Sequence, residues 1–446
     1  MSSVSRKPGT TDSYSFRRRN FLKAVGATGV AGLAGCTSDG DANGGDGTAT
    51  PTEQPTTTPG TTTGGGTASE VVLGANFPLS GNLAYTGGLM ANAVELAAML
   101  RNEAGGIESL GGAEVRVIKG DNQAAQELGG QVTEELMDQG IHTLIGCWLS
   151  SVTLAAAQVA DREGLPFVTA GSAAEAVLQD NDFNYVYRVQ PTTFHFGRDW
   201  ARQTPVLASQ QDIDVETVGF FRPDDLFGQS IIDSARSFAE DEGLEVVAET
   251  VIEVDATNAD SQATRLKGVN PDIVAPTGFT IHGTLLMNAM SDIGYRPKVI
   301  SSAATSTFGD PNVMENDIGP YANGVLDVNF AINPNNERSA EIKERFSAEF
   351  NDNPLVAGAA VAFTSADLTL TAIEQAGSVD PDSINDALKA TELNEHILAM
   401  PSPIRFDEQG ENENAFAPIH QVQDFQPRIV WPDEFAEADL QSFGSL

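Results

Sequence analysis

From Val71 to Val328 short apolar runs alternate with stretches of helical periodicity, and that alternation confines the chain to an α/β fold built on parallel sheets. The runs are Val71–Ala75, Val115–Ile118, Thr143–Gly146, Pro166–Thr169 and Val186–Val189, then Thr217–Phe221, Asp272–Ala275, Val299–Ile300 and Val325–Val328. Between them the apolar spacing predicts helices over 88–101, 123–139, 151–163, 228–241 and 281–293. Residues 71–446 make 376 in all, too many for one compact core, so two lobes are expected. In such sheets ligands bind beyond the carboxyl ends of the strands. The C-terminal third changes character. Helices over 337–350, 356–376 and 381–390 are followed by short strands at Ile404–Phe406, His420–Val422 and Arg428–Val430. A helical block before a strand-rich tail predicts a chain that returns to the first lobe and then crosses again.

The N-terminus carries an address. Phe16-Arg17-Arg18-Arg19-Asn20-Phe21-Leu22-Lys23 precedes a small-residue apolar run that ends in Leu33-Ala34-Gly35-Cys36. The first segment resembles a twin-arginine export signal. The second resembles a lipobox, with Cys36 the residue that takes the lipid. The run Ala24–Gly35 is shorter than the roughly 20 residues a membrane span needs. Residues 1–36 are therefore read as a signal, and the chain as exported and lipid-anchored to the outer face of the cell membrane. Residues 37–69, mostly Thr, Gly, Pro, Asp and Ser, hold too little apolar surface to fold and read as a tether.

Charge narrows the setting. The chain has 62 acids and 25 bases; removing residues 1–35, with six bases and one acid, leaves 61 and 19, a net charge of −42. Self-repulsion on that scale opposes a compact state at ordinary ionic strength. At molar salt the screening length falls to about 3 Å. The composition thus predicts a halophilic protein. Nucleic acid is excluded as a partner, because no basic patch is available to neutralise phosphates. Cys147 has no partner once Cys36 is lipidated, and it reads as a small buried apolar side chain. The five histidines show no metal-binding spacing, and Gly-x-Ser-x-Gly is absent, so neither a metal site nor nucleophilic catalysis is expected. No phosphate loop or dinucleotide fingerprint appears either, and no cofactor is expected.

Four runs carry a family resemblance, in the right order behind the lipoprotein signal. They are Pro78-Leu79-Ser80-Gly81 with Tyr85-Thr86-Gly87; Gly146-Cys147-Trp148-Leu149-Ser150-Ser151; Phe227-Gly228; and Pro403-Ile404-Arg405-Phe406-Asp407-Glu408-Gln409-Gly410. Over residues 71–430 the chain resembles the leucine/isoleucine/valine-binding proteins, the substrate-binding components of ABC importers. The resemblance implies the type I periplasmic binding protein fold: two doubly wound parallel-sheet lobes joined by a three-crossover hinge, closing on a ligand. With crossovers near 190, 330 and 406, lobe 1 comprises 70–190 plus 331–405, and lobe 2 comprises 191–330 plus 406–446. It also implies a monomer that is no enzyme, with a permease and an ATPase as partners. The alternatives are a ligand sensor coupled to a membrane receptor and an exported hydrolase.

The loop-to-helix segment Trp148-Leu149-Ser150-Ser151 has the chemistry of an anion cradle. Free N–H groups and the positive end of the helix dipole favour a carboxylate, and a serine hydroxyl adds a donor. A plain capping role for Ser150 or Ser151 remains open. The resemblance gives Ser150 the role of holding the ligand's carboxylate, with Leu149 beside it. It places a second contact on Gly171-Ser172-Ala173, where a threonine of the family falls on Ala173. Tyr85, Trp148, Phe227 and Phe279 would wall the cleft; each suits a core position equally well. Phe227 and Phe279 stand where relatives carry tyrosine. The family's acid for the ligand's ammonium falls on the loop Ser301-Ser302-Ala303-Ala304-Thr305, at Ala303, and this loop has no acid. Asp121, Asp224 and Asp225 are candidate replacements. Without one, a buried ammonium would be costly, and a carboxylate, amide or urea-like solute fits as well as an amino acid. His195 is read as packing or capping.

Overall fold

The structure, a computed structural model, describes residues 69–444. The export signal, Cys36 and the tether up to residue 68 lie outside the described residues.

The two strand series form two sheets. The first runs β2-β1-β3-β4-β5 and is parallel throughout. Its strands are β1 (Glu70–Phe77), β2 (Glu114–Asp121), β3 (Thr143–Cys147), β4 (Phe167–Ala170) and β5 (Val186–Arg188). Helices α1 (Ala84–Glu103), α2 (Gln126–Asp138) and α3 (Ser150–Glu163) link them. Buried Val71, Leu73, Leu144, Ile145, Phe167 and Val168 show why these strands read as continuous apolar runs: helices cover both faces.

After β5 come α4 (Thr193–Ser209), β6 (Thr217–Pro223), α5 (Leu226–Asp241), β7 (Glu245–Ile252), α6 (Asp260–Val269), β8 (Ile273–Pro276), α7 (Thr280–Asp292), β9 (Val299–Ala303), a single turn α8 (Pro311–Val313) and β10 (Leu326–Val328). Helices α9 (Glu337–Glu349), α10 (Ala357–Ala376) and α11 (Pro381–Ala390) then return to the first sheet, and β11 (Ile419–Gln423) and β12 (Gln426–Trp431) to the second. The second sheet runs β12-β11-β10-β9-β8-β6-β7. Strands β7 to β10 are parallel, as expected, but β11 and β12 add an antiparallel hairpin on one edge. Such an edge on an otherwise parallel sheet is common.

Local chemistry fixes the helix ends. Asp225 caps α5 by accepting the Gly228 N–H at 2.7 Å. Asp380 caps α11 ahead of Pro381, whose missing N–H costs nothing at a first helical position. Gly164 ends α3 in the left-handed region at φ +70°. Helix α10 seats on the first sheet, where its Ser365 hydroxyl donates to Thr169 O of β4 at 3.1 Å.

The chain passes between lobes three times. It leaves the first sheet after Arg188 and returns around residues 329–332, where Ala399 N donates to Ala331 O at 2.8 Å. The third passage differs from the sequence expectation of residue 406. Arg188 N donates to Gly410 O at 2.8 Å, and Asn412 N to Arg188 O at 3.0 Å. Phe406 also pairs with Asn412. Residues 406–412 therefore stay with the first sheet, and the passage falls between Asn412 and Ile419.

Candidate functional site

The carboxyl ends of β3, β4, β8 and β9 are followed by sharp turns. Trp148, Gly171, Gly278 and Ala304 lie at φ +77°, +85°, +128° and +61°. Glycine adopts that region freely, whereas Trp148 and Ala304 are held there against their intrinsic preference. Non-glycine residues in such conformations persist where surrounding structure over-determines them, often at functional sites. A Cβ on Gly171 would lie 2.8 Å from Trp148 Cδ1 and 3.0 Å from Met90 Cε. Glycine at 171 thus lets the tryptophan ring lie against the β4 turn.

These turns enclose an inner cavity of about 20 Å3, room for one water. Trp148 and Gly171 of the first lobe line it, with Phe227, Phe279 and Ala304 of the second and Asn329 and Phe330 of the second passage. Trp148 and Phe279 meet edge-on with centroids 5.4 Å apart, and Phe227 lies 6.0 Å from Phe279. A wider cavity of about 280 Å3 adjoins it, sharing Trp148, Ser306, Asn329 and Phe330. Thr86, Thr280, Asp310 and Asp327 are among its other walls.

Ser150 sits directly behind Trp148 as the first residue of α3, and it is buried. The N-cap position of α3 is Leu149, so the Ser150 side chain is not the cap of its own helix. Instead Ser150 Oγ accepts the Ala174 N–H at 3.2 Å, which leaves the hydroxyl proton free to donate. The first intrahelical bond of α3 runs from Thr153 N to Leu149 O at 2.8 Å. The N–H groups of Ser150, Ser151 and Val152 precede it, at the positive end of the helix dipole. Ser172 Oγ is buried and has no hydrogen-bond partner among the described residues.

Of the residues singled out in the sequence, the structure brings Trp148, Gly171, Phe227 and Phe279 together around the inner cavity. Leu149, Ser150, Ser172 and Ala173 are buried in the two turns behind it. Tyr85 lies at the cleft edge, 44% exposed, with its hydroxyl toward Asp310 and Asn312 of the opposite lobe. Ala303 does not line either cavity; it is the last residue of β9, and the wall is Ala304. The strand runs further than the apolar pair Val299-Ile300 suggested, which moves the turn by one residue.

The candidate replacement acids serve other ends. Burial pushes the Asp121 carboxyl up, but hydrogen bonds from the Ser80 side chain and the Leu79 and Gln123 N–H groups outweigh this and hold it below its usual range. Asp224 is exposed beside Arg222, and Asp225 caps α5. The acids at the wider cavity are Asp310, Asp327 and Glu437, which sequence reasoning missed; Glu437 is paired with Arg428 at 3.1 Å, which leaves the other two. Burial raises both, Asp327 to about 6, against hydrogen bonds that favour the charged forms. Asp327 accepts the Thr305 N–H at 3.3 Å and the Asn329 side-chain amide at 3.1 Å. The residues around 327–330 were legible in one respect: they end an apolar strand, and the carboxyl-end rule applies to them too.

Two histidines hold the lobe-2 side in place as neutral rings. His195 Nδ1 accepts the Thr192 N–H at 3.2 Å, and burial pushes its pKa down to about 3. His282 Nδ1 accepts the Phe279 N–H at 3.2 Å while Nε2–H donates to Val254 O at 3.0 Å, which fixes the backbone that carries the Phe279 ring.

Residues 70–424 match the family model described as periplasmic binding protein. A Leu/Ile/Val-binding protein homologue of Brucella melitensis is 23% identical over 384 residues, covering 84% of this chain and 94% of the relative. Two solved structures share the fold. The branched-chain amino acid transporter substrate-binding protein of Streptococcus pneumoniae, in complex with isoleucine, superposes with a TM-score of 0.70 at 19% identity, over 80% of this chain and 97% of its own. An ABC transporter solute-binding protein of R. palustris, in complex with benzoate, gives 0.68 at 16% identity, over 84% and 100%.

Proposed function

The chain belongs to the periplasmic binding protein family, and from that premise we propose that it is the solute-binding component of an ABC importer. It captures a small organic carboxylate between its two lobes and presents it to a permease and ATPase. The family implies an extracytoplasmic location. Its anchor on this reading is the lipid at Cys36, and the closed unit is a monomer working in a high-salt medium.

One observation carries the ligand class. Ser150 Oγ accepts from Ala174 N and so keeps its own proton free to donate, at the start of α3 where three N–H groups precede the first intrahelical bond. That arrangement favours an anion. Trp148, Phe227 and Phe279 supply an apolar wall for the ligand's body. An isoleucine binder and a benzoate binder share the fold, so a carboxylate with either an aliphatic or an aromatic body fits this frame. The turn after β9 has no acid before Asp310, and burial raises both Asp310 and Asp327 toward their neutral forms. The site therefore favours a carboxylate without a cationic amino group over the matching α-amino acid. The inner cavity of about 20 Å3 is smaller than any such solute, so binding requires the lobes to part and the rings to move.

Calorimetric titration of the full chain in molar KCl with 4-methylpentanoate, L-leucine, benzoate and benzamide tests this. The acids should bind, 4-methylpentanoate at least as tightly as L-leucine, and benzamide should not. Binding of benzamide alone would overturn the carboxylate reading; tight, selective binding of L-leucine would overturn the preference against an amino group.

A further inference from the structure

The buried guanidinium of Arg188, in the last residue of β5, lies outside both cavities and does work the proposed function has not used. It is fully buried, and its Nε and Nη2 donate to the two carboxylate oxygens of Glu411 at 2.9 and 2.5 Å. Its remaining nitrogen, Nη1, donates to Ser172 O at 3.2 Å and to Ala174 O at 2.7 Å. Those carbonyls belong to the turn that follows Gly171. The same turn presents the Ala174 N–H that orients the Ser150 hydroxyl. Gln190, two residues further on, also donates to Ser172 O, at 2.9 Å.

We propose that Arg188 and Glu411 are positioning residues for ligand binding, transmitting the placement of the third interlobe passage to the Ser150 hydroxyl through the 172–174 turn. The inference rests on the carboxylate site proposed above. Glu411 lies just before that passage, between Gly410, whose carbonyl accepts the Arg188 N–H, and Asn412, whose amide N–H donates to Arg188 O and from which the passage departs. Gly410 has φ +80°, and a Cβ there would lie 2.3 Å from Val186 O, so the segment leading into the passage is seated tightly on β5. Any shift of the passage moves the Glu411 carboxylate. The planar five-donor guanidinium then carries the shift to two carbonyls on the ligand side, because its fork geometry is rigid. A lysine could hold one charge contact but not both directions at once. On this arrangement lobe movement and the orientation of the carboxylate donor are one linked event, not two.

The test uses the full chain in molar KCl, with benzoate and L-leucine as probes, and hydrogen exchange of the segment 172–175. Glu411→Gln keeps the shape and one acceptor; Arg188→Lys keeps the charge and loses the fork. Leu370→Ala, in the buried face of α10, serves as a control that lowers stability away from the turn. Both positioning variants should speed exchange at the Ala174 amide, with α10 unchanged, and should weaken probe binding at least tenfold at a temperature where all proteins are folded. Leu370→Ala should lower Tm with Kd and Ala174 exchange as in the native chain. Native exchange at Ala174 in Glu411→Gln, or equal weakening by Leu370→Ala, would overturn the inference. Should the native chain bind neither probe, the ligand class fails, and the exchange measurement alone still decides the coupling.

Discussion

Trp148 of the first lobe meets Phe279 of the second edge-on, with centroids 5.4 Å apart and planes at 76°. Such pairs add about 0.5–1.5 kcal/mol beyond the area they bury. This contact spans the cleft, so it stabilises closure directly. Trp148→Ala should shift the ligand-free chain toward an open form, seen as a larger radius of gyration by small-angle scattering. An unchanged scattering profile would show that the aromatic contact does not hold the lobes together.

Ser150→Ala removes a hydroxyl whose proton is free to donate to the proposed carboxylate. A hydrogen bond to a charged group is worth about 1.5–3 kcal/mol, roughly 10- to 150-fold in Kd. The Ala174 N–H loses its acceptor as well, so Tm should fall by the equivalent of about 1–3 kcal/mol, and affinity is compared at a temperature where both proteins are folded. Titration of benzoate into this variant with native affinity would remove Ser150 from the site.

Gly171→Ala places a methyl 2.8 Å from the Trp148 ring at a φ of +85°. The backbone strain alone is on the order of 1–2 kcal/mol, and the ring must also move. Both Tm and probe affinity should fall. Unaltered Tm and affinity together would show that the turn relaxes without disturbing the cleft.

Asp327 is fully buried with its pKa raised to about 6. An acid whose folded pKa is raised stabilises fully below its unfolded value near 4, and that stability is lost as pH rises through 6. Asp327→Asn removes this dependence while keeping an acceptor for the Thr305 N–H. The Tm of the variant relative to the native chain should therefore be higher at pH 7.5 than at pH 4.5, the gap corresponding to on the order of 2–3 kcal/mol. His195, His396 and His420 act oppositely: burial lowers their pKa values to about 3, 4 and 4. They destabilise the native chain as pH falls below about 6.5, so the comparison must be made between variant and native protein at each pH. A gap that does not change with pH would contradict the assignment.

Net charge sets the salt response. With 61 acids and 19 bases after residue 35, raising KCl from 0.1 M to 2 M should raise Tm strongly, since the Debye length falls from about 10 Å to below 3 Å. The exposed ion pairs, such as Arg116–Glu70, weaken under the same screening, but each contributes little. A Tm that falls or stays level over this range would count against the halophilic reading.

Much of the fold could be read from the apolar runs, because parallel strands covered on both faces leave a continuous signature: β1, β3 and β8 are buried almost throughout. The strand β7 and helix α6 were not legible. β7 is the outer edge of the second sheet and mixes buried Ala248 and Ile252 with exposed Glu245 and Val251, while α6 buries only Ala263 and Leu266. Ile404–Phe406 read as a strand but forms only isolated bridges, Leu393 to Ile404 and Phe406 to Asn412. At the site, the turn residues with intrinsic preference for unusual backbone, such as Gly171, could be seen in advance. The left-handed conformations of Trp148 and Ala304 could not, since neither residue favours them and tertiary packing imposes them. Asp310 and Asp327 were hidden for another reason: their role depends on which loops face the cleft, a long-range fact that local spacing does not record.

Strand β10 pairs with β9 on one side and, on the other, with β11, which the chain reaches only after building α9 to α11 in the other lobe. During synthesis the second sheet thus stays open along Leu326–Val328 until residues 419–431 emerge. An open strand edge is a template for pairing with another chain. The nascent protein should then be most prone to aggregation when about nine-tenths complete, and ribosome-bound chains halted before Ile419 should engage chaperones more than chains halted after Trp431. A binding protein assembled in this order gains a soluble second lobe only at the last step of its making, together with the completed hinge.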